Sequence, residues 1–176
     1  SYSLRTSSSS SSSSSLPPRT TLCQLEADVA FDEMVAHAPD GRWLRIAPLR
    51  ILSFDIECAG RKGHFPEPEH DPVIQIANFV TLYGEQRAIV RNVFVLGTCK
   101  PIVGANVYCF ETEVELLQAW ARFFREVDAD MVTGYNIKNF DMPYLLNRAK
   151  AIGVPDPFSQ WGRVIGSRAR MKETTF

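Results

Sequence analysis

Leu49-Arg50-Ile51-Leu52-Ser53-Phe54-Asp55-Ile56-Glu57 places two carboxylates inside an apolar run. Ile51, Leu52, Phe54 and Ile56 predict a buried strand. Side chains alternate along a strand, so Asp55 and Glu57 aim the same way, roughly 6–7 Å apart at Cα. Two unpaired charges on a core strand are costly unless something neutralises them. A divalent cation would do so, and oxygen ligands suit Mg²⁺ or Mn²⁺. The competing reading is a strand-end pair facing water. Acids two apart also occur at Glu26/Asp28, Glu67/Glu69, Glu69/Asp71, Glu111/Glu113, Glu113/Glu115 and Asp128/Asp130, but those lie in polar or helical stretches.

Working outward, Val73–Leu82 and about Arg87–Leu96 predict two further strands joined through Gly84 as an antiparallel hairpin. A Pro/Gly/charge-rich loop, Cys58–Pro72, precedes them. A short strand is expected near Val107–Phe110. Thr112–Val127 is the strongest helix. Thr112 and Glu115 form a capping box, and Val114, Leu117, Trp120, Phe124 and Val127 recur at helical spacing. Trp120 reads as core. Met131-Val132-Thr133 predicts a short buried strand, and a second helix is expected over about 142–151, with Asp141 as N-cap and Gly153 near its end. Strands followed by helix, strand and helix predict an α/β mixed sheet with flanking helices.

The chain of 176 residues is long enough for one domain with a real core. Its formal net charge of −1 advertises no broad basic surface for duplex binding. Cys23, Cys58, Cys99 and Cys109 are widely spaced, which argues against a zinc site and gives no disulfide framework. No apolar segment is long enough to span a bilayer. Ser7–Ser15 is an unbroken serine run, and residues 1–20 are expected to be disordered. Residues 21–48 are expected to be a connecting segment, with Leu22, Leu25, Val29, Phe31, Met34 and Val35 suggesting a short helix or extended edge. Residues 49–176 then hold the α/β domain. The first residue is Ser1, and the chain is expected to be part of a longer protein.

A second constellation is Thr133-Gly134-Tyr135-Asn136-Ile137-Lys138-Asn139-Phe140-Asp141, which leaves a strand, turns and opens a helix. A carboxylate at a helix N-terminus stays ionised, favoured by free amides and the macrodipole. Asp141 is also readable as a plain N-cap. Asn136 and Asn139 are also readable as turn formers bonding their own backbone. Arg163, Arg168, Arg170 and Lys172 make the end basic, most simply as a solvated tail. Lys62, His64 and His70 lie in the loop after Cys58 without a clear partner.

In this order, the two constellations resemble the DEDD-type exonuclease domain of family B DNA polymerases. Phe54-Asp55-Ile56-Glu57 is similar to that family's first exonuclease motif, and Gly134–Asp141 to its second. The loop stretches Cys58–Gly63, Phe65–Glu69 and Asp71–Ile76, with Cys23–Val29 upstream, narrow the likeness to a replicative branch. The resemblance covers about residues 22–165 and leaves out the serine run.

It implies a ribonuclease H-like fold truncated at its C-terminus, and 3′–5′ proofreading hydrolysis with two Mg²⁺ ions, for which Mn²⁺ can substitute. It implies that Asp55 bridges the ions, Glu57 binds the one activating water, and Asp141 holds the second. Asn136 and Phe140 would grip the single-stranded 3′ end of DNA. The implied partners are the polymerase's other subunits and a sliding clamp, and the implied location is the nucleus. The family's third motif, Tyr-x-x-x-Asp, is not found after Asp141: Tyr144 is followed by Leu145-Leu146-Asn147-Arg148. Little nuclease activity and no polymerase activity are therefore expected of this chain alone. The alternatives are a non-catalytic nucleic-acid-binding module of the same fold and a free-standing DEDD exonuclease. The intact acids argue against the first, and the upstream segment argues against the second.

Overall fold

The computed structural model describes residues 3–6 and 18–171. The serine run, 7–15, and Lys172 lie outside the described residues. The chain divides into two units, 1–47 with 162–167, and 48–161 with 168–176. The sequence pattern instead predicts 162–167 as part of the second unit.

In the first unit, β1 (Ser3–Thr6) pairs antiparallel with β2 (Leu25–Asp28). The sequence predicts disorder throughout 1–20, whereas residues 3–6 form this strand. Their partner lies some twenty residues away, beyond the reach of any local pattern. Two single 3₁₀ turns follow, Phe31–Glu33 and Gly41–Leu44. Phe31, Met34 and Val35 are exposed.

The second unit is a five-stranded mixed sheet in the order β6-β5-β4-β3-β7. Its strands are β3 (Arg50–Cys58), β4 (Val73–Leu82), β5 (Ala88–Leu96), β6 (Asn106–Phe110) and β7 (Met131–Thr133). β3, β4 and β5 pair antiparallel, while β6 and β7 join parallel at either side. Helix α1 (Glu113–Val127) opens with the expected capping box from Thr112 to Glu115. Helix α2 spans Asp141–Ala151.

One face of the sheet is the core. Leu52, Phe54 and Ile56 on β3, with Ile76 and Val80 on β4, pack against Leu116, Leu117, Trp120 and Leu145 of the helices. Trp120 is fully buried, and its indole N–H donates to Asn78 Oδ1 at 3.0 Å, which satisfies both groups. The alternation that buries Leu52, Phe54 and Ile56 turns Asp55 and Glu57 to the other face, where both are exposed. The strand is therefore buried on one side only, and the desolvation expected of the acidic pair does not apply to it. β7 also differs from expectation: as an edge strand it leaves Met131 and Thr133 exposed. All four cysteines are free. Among the described residues, no helix is long and apolar enough to cross a membrane.

Candidate active site

β7 covers β3 only as far as the pair Ser53–Thr133. Beyond it, β3's outer edge needs other partners for its backbone groups. The chain supplies them from the segment that follows. Gly134 lies so close to β3 that an added Cβ would meet Phe54 O at 2.5 Å and Ile137 Cγ2 at 2.3 Å. Only glycine fits there. Asn136 then adopts a left-handed conformation, φ 54°, uncommon outside glycine and best tolerated by Asn and Asp. Its carbonyl accepts the amides of Asn139 and Phe140 at 3.0 Å each, and its Oδ1 accepts from Asn139 Nδ2 at 2.8 Å. This tight turn delivers the chain into α2.

Asp141 is the first residue of that helix, with Phe140 at the N-cap position. Its side chain does not cap the helix as the sequence suggested. Oδ1 instead accepts the backbone N–H of Ile56 at 3.0 Å, on the β3 edge that β7 leaves open. Asp141 is 1% exposed. Burial pushes its carboxyl above the usual range, against the bonds from the Ile56 amide and its own backbone, and the nearby Asp55 charge pushes the same way. The buried carboxylate of this site is thus Asp141. Asp55 and Glu57 flank Ile56 in sequence and face solvent.

The donor chemistry fits a hard cation. Three carboxylates gather around Ile56, and none of them pairs with Lys or Arg among the described residues. No three Asp, Glu, His or Cys side chains among the described residues close on a single ion.

Phe140, which the sequence singled out, is half-buried. It packs edge-on against Phe65 of the 59–72 loop, with ring centroids 5.4 Å apart, and against Tyr144 at 5.4 Å. Phe65 is not among the sequence candidates, yet it is 75% exposed and packs on Phe140, next to Asp141 in the chain. No periodic signal marks a single loop aromatic. The loop is stapled from within: Arg61 pairs with Asp71 at 3.1 Å, and Asp71 accepts the Glu67 amide at 2.8 Å. Beneath the acids, burial pushes the Cys58 thiol up to about 11. On the open face of the sheet, a trough of about 650 Å³ runs from Asp55 past Phe79, Arg91 and Val93 to Tyr135. His64 and His70 join no metal cluster, and Arg168 pairs with Asp156 at 2.8 Å.

A mixed sheet in this order, with an acidic pair on one strand and a helix-borne aspartate bonded between them, is a ribonuclease H-like α/β domain. The family model described as DNA polymerase family B, exonuclease domain, matches residues 4–176. The chain belongs to that family. It is 58% identical over 154 residues to the DNA polymerase delta catalytic subunit of Glycine max, covering 88% of this chain and 14% of that protein. It is 55% identical over 158 residues to the Bos taurus subunit, covering 90% and 14%. For the Schizosaccharomyces pombe subunit the identity is 51% over 158 residues, with 90% and 14% covered. The structure of a family B DNA polymerase from the archaeon Pyrobaculum calidifontis matches 67% of this chain and 13% of that one, at 34% identity and a TM-score of 0.46. The chain thus spans about one-seventh of the length of its curated relatives. Membership of this family carries dependence on a divalent metal.

Proposed function

We propose that this chain is the proofreading part of a delta-type replicative DNA polymerase catalytic subunit, removing mispaired 3′-terminal nucleotides during DNA replication. The supporting observation is the bond from Ile56 N–H to Asp141 Oδ1 at 3.0 Å. It sets the helix-borne carboxylate at the strand position between the other two acids, although the sequence separates them widely.

In this reading Asp55, Glu57 and Asp141 would hold two Mg²⁺ ions, with Asp55 serving both, Glu57 the first and Asp141 the second. Bound there, the ions would supply an activated water and stabilise the attacking and leaving oxygens of an in-line displacement. The protein's own part is positional. The β3 backbone spaces Asp55 and Glu57, and α2 presents Asp141 desolvated, where a cation is held most strongly. Phe65 and Phe140 offer aromatic surface against which a frayed terminal base stacks. Asn136 shapes the turn beneath them. The exposed trough beside Asp55 leaves room for the strand to approach. Membership of the delta-type branch supports single-stranded DNA as the substrate, the other subunits and a sliding clamp as the partners, and the nucleus as the location.

Titration of Mn²⁺ into the ¹⁵N-labelled chain tests the site. The amides of Asp55, Ile56, Glu57 and Asp141 should broaden first. Broadening centred elsewhere would contradict the assignment. A single-stranded oligonucleotide added next should shift Phe65, Asn136 and Phe140.

A further inference from the structure

Helix α2 carries more than Asp141 on its inward face. Tyr144 and Arg148, three and seven residues on, lie on that same face. Each makes a polar contact with a different element. Tyr144 Oη donates to the Asp71 carbonyl at 2.7 Å, where the 59–72 loop rejoins the sheet. Arg148 donates through Nε and Nη2 to the two oxygens of Glu113, at 2.9 and 2.8 Å, and through Nη1 to the Pro68 carbonyl at 3.0 Å. Glu113 Oε1 also accepts the Val73 amide at 2.8 Å. One guanidinium thereby joins α2, the first turn of α1, the start of β4 and the loop that holds Phe65.

The chemistry of this joint suits alignment. The Arg148 and Glu113 side chains are 9% and 10% exposed. A buried ion pair adds little that apolar residues of equal volume would not, so stability alone does not explain it. What it adds is direction. The planar fork meets a carboxylate in one orientation, whereas the contacts of Leu145 and Ala149 beside it are non-directional. A slip of α2 by a single turn would carry Asp141 about 5.4 Å along the helix axis, out of reach of Ile56.

We propose that Arg148 is a positioning residue of the acidic site, which through Glu113 and Pro68 sets the register of α2 that brings Asp141 to Ile56 and holds the Phe65 loop against Phe140. Its importance for metal affinity rests on the exonuclease reading; its effect on geometry does not.

The test compares the full ¹⁵N-labelled chain with Arg148→Lys and Glu113→Gln. Lysine keeps the charge and loses the fork, and glutamine keeps an acceptor for Val73. Hydrogen exchange of the Ile56 amide is followed beside that of Leu52 and Val80 in the core. Mn²⁺ affinity is measured in the same samples. Exchange at Ile56 should quicken selectively in both variants, with Mn²⁺ bound about 10- to 100-fold more weakly. Equal quickening at all three amides, or an unchanged Ile56 amide in a folded variant, overturns the proposal. If Arg148→Lys does not fold, Glu113→Gln decides by the same comparison. If the unaltered chain binds no Mn²⁺, the exonuclease reading fails, while the Ile56 exchange still judges the alignment.

Discussion

Asp141 and Ile56 stand 85 positions apart, and their hydrogen bond of 3.0 Å completes the β3 edge where β7 ends. A side chain from a helix mouth thus does the work of a missing strand residue. The same bond puts a buried charge beside two exposed ones, a costly arrangement for the fold and a useful one for cation binding.

Asp141→Asn should therefore stabilise the protein. The amide keeps an oxygen for the Ile56 N–H and removes the buried charge. The melting temperature at pH 7 should rise by a few degrees, about 1 kcal/mol, in differential scanning calorimetry. Mn²⁺ affinity should fall in the same variant. A lowered melting temperature would contradict the assignment of an unpaired buried carboxylate.

Gly134→Ala probes the other contact on that edge. Its methyl group would meet a backbone carbonyl, which cannot turn aside as a flexible side chain would. The expected loss is about 1–3 kcal/mol, read as a lower urea midpoint. An unchanged midpoint would show that the 133–141 turn is free to lift from β3.

Much of this domain was legible locally. The bounds of β3, β4, β5 and both helices follow from runs, alternation and the Thr112–Glu115 box, and the structure moves them by a residue or so. The unread parts are long-range. Nothing near Ser3 announces Leu25–Asp28 as a partner, and nothing near Asp141 announces Ile56. The apolar residues of β3 showed a buried strand but not that only one face is covered, so the burden of desolvation was placed on Asp55 and Glu57. Phe65 escaped notice because one aromatic in a Pro-rich loop carries no pattern. Its meaning comes from Phe140, far along the chain.

Phe65→Ala tests that pairing. The side chain is mostly solvent-exposed, so thermal stability should change by no more than about 0.5 kcal/mol. Binding of a single-stranded oligonucleotide, followed by fluorescence anisotropy, should weaken by about 1–3 kcal/mol. Equal binding would remove the loop from the DNA path.

The loop's own staple predicts a pH dependence. The Glu67 amide, with Arg61, holds the Asp71 carboxyl below its ordinary value of 3.8, against the opposing effect of burial. A carboxyl lowered on folding adds stability above its unfolded value, and that stability is lost as pH falls through the folded value. Asp71→Asn should be less stable than the unaltered chain at pH 7, and the gap should close as pH drops below 3.8. Melting curves across that range read it directly. A gap that stayed constant would point to packing rather than charge.

Isothermal calorimetry of Mn²⁺ with the unaltered chain and with Asp55→Ala bears most directly on the acidic site, because in the proposed reading Asp55 would serve both ions. Saturable binding to the first and none to the second is the predicted result. Binding of equal strength and stoichiometry in both would contradict it.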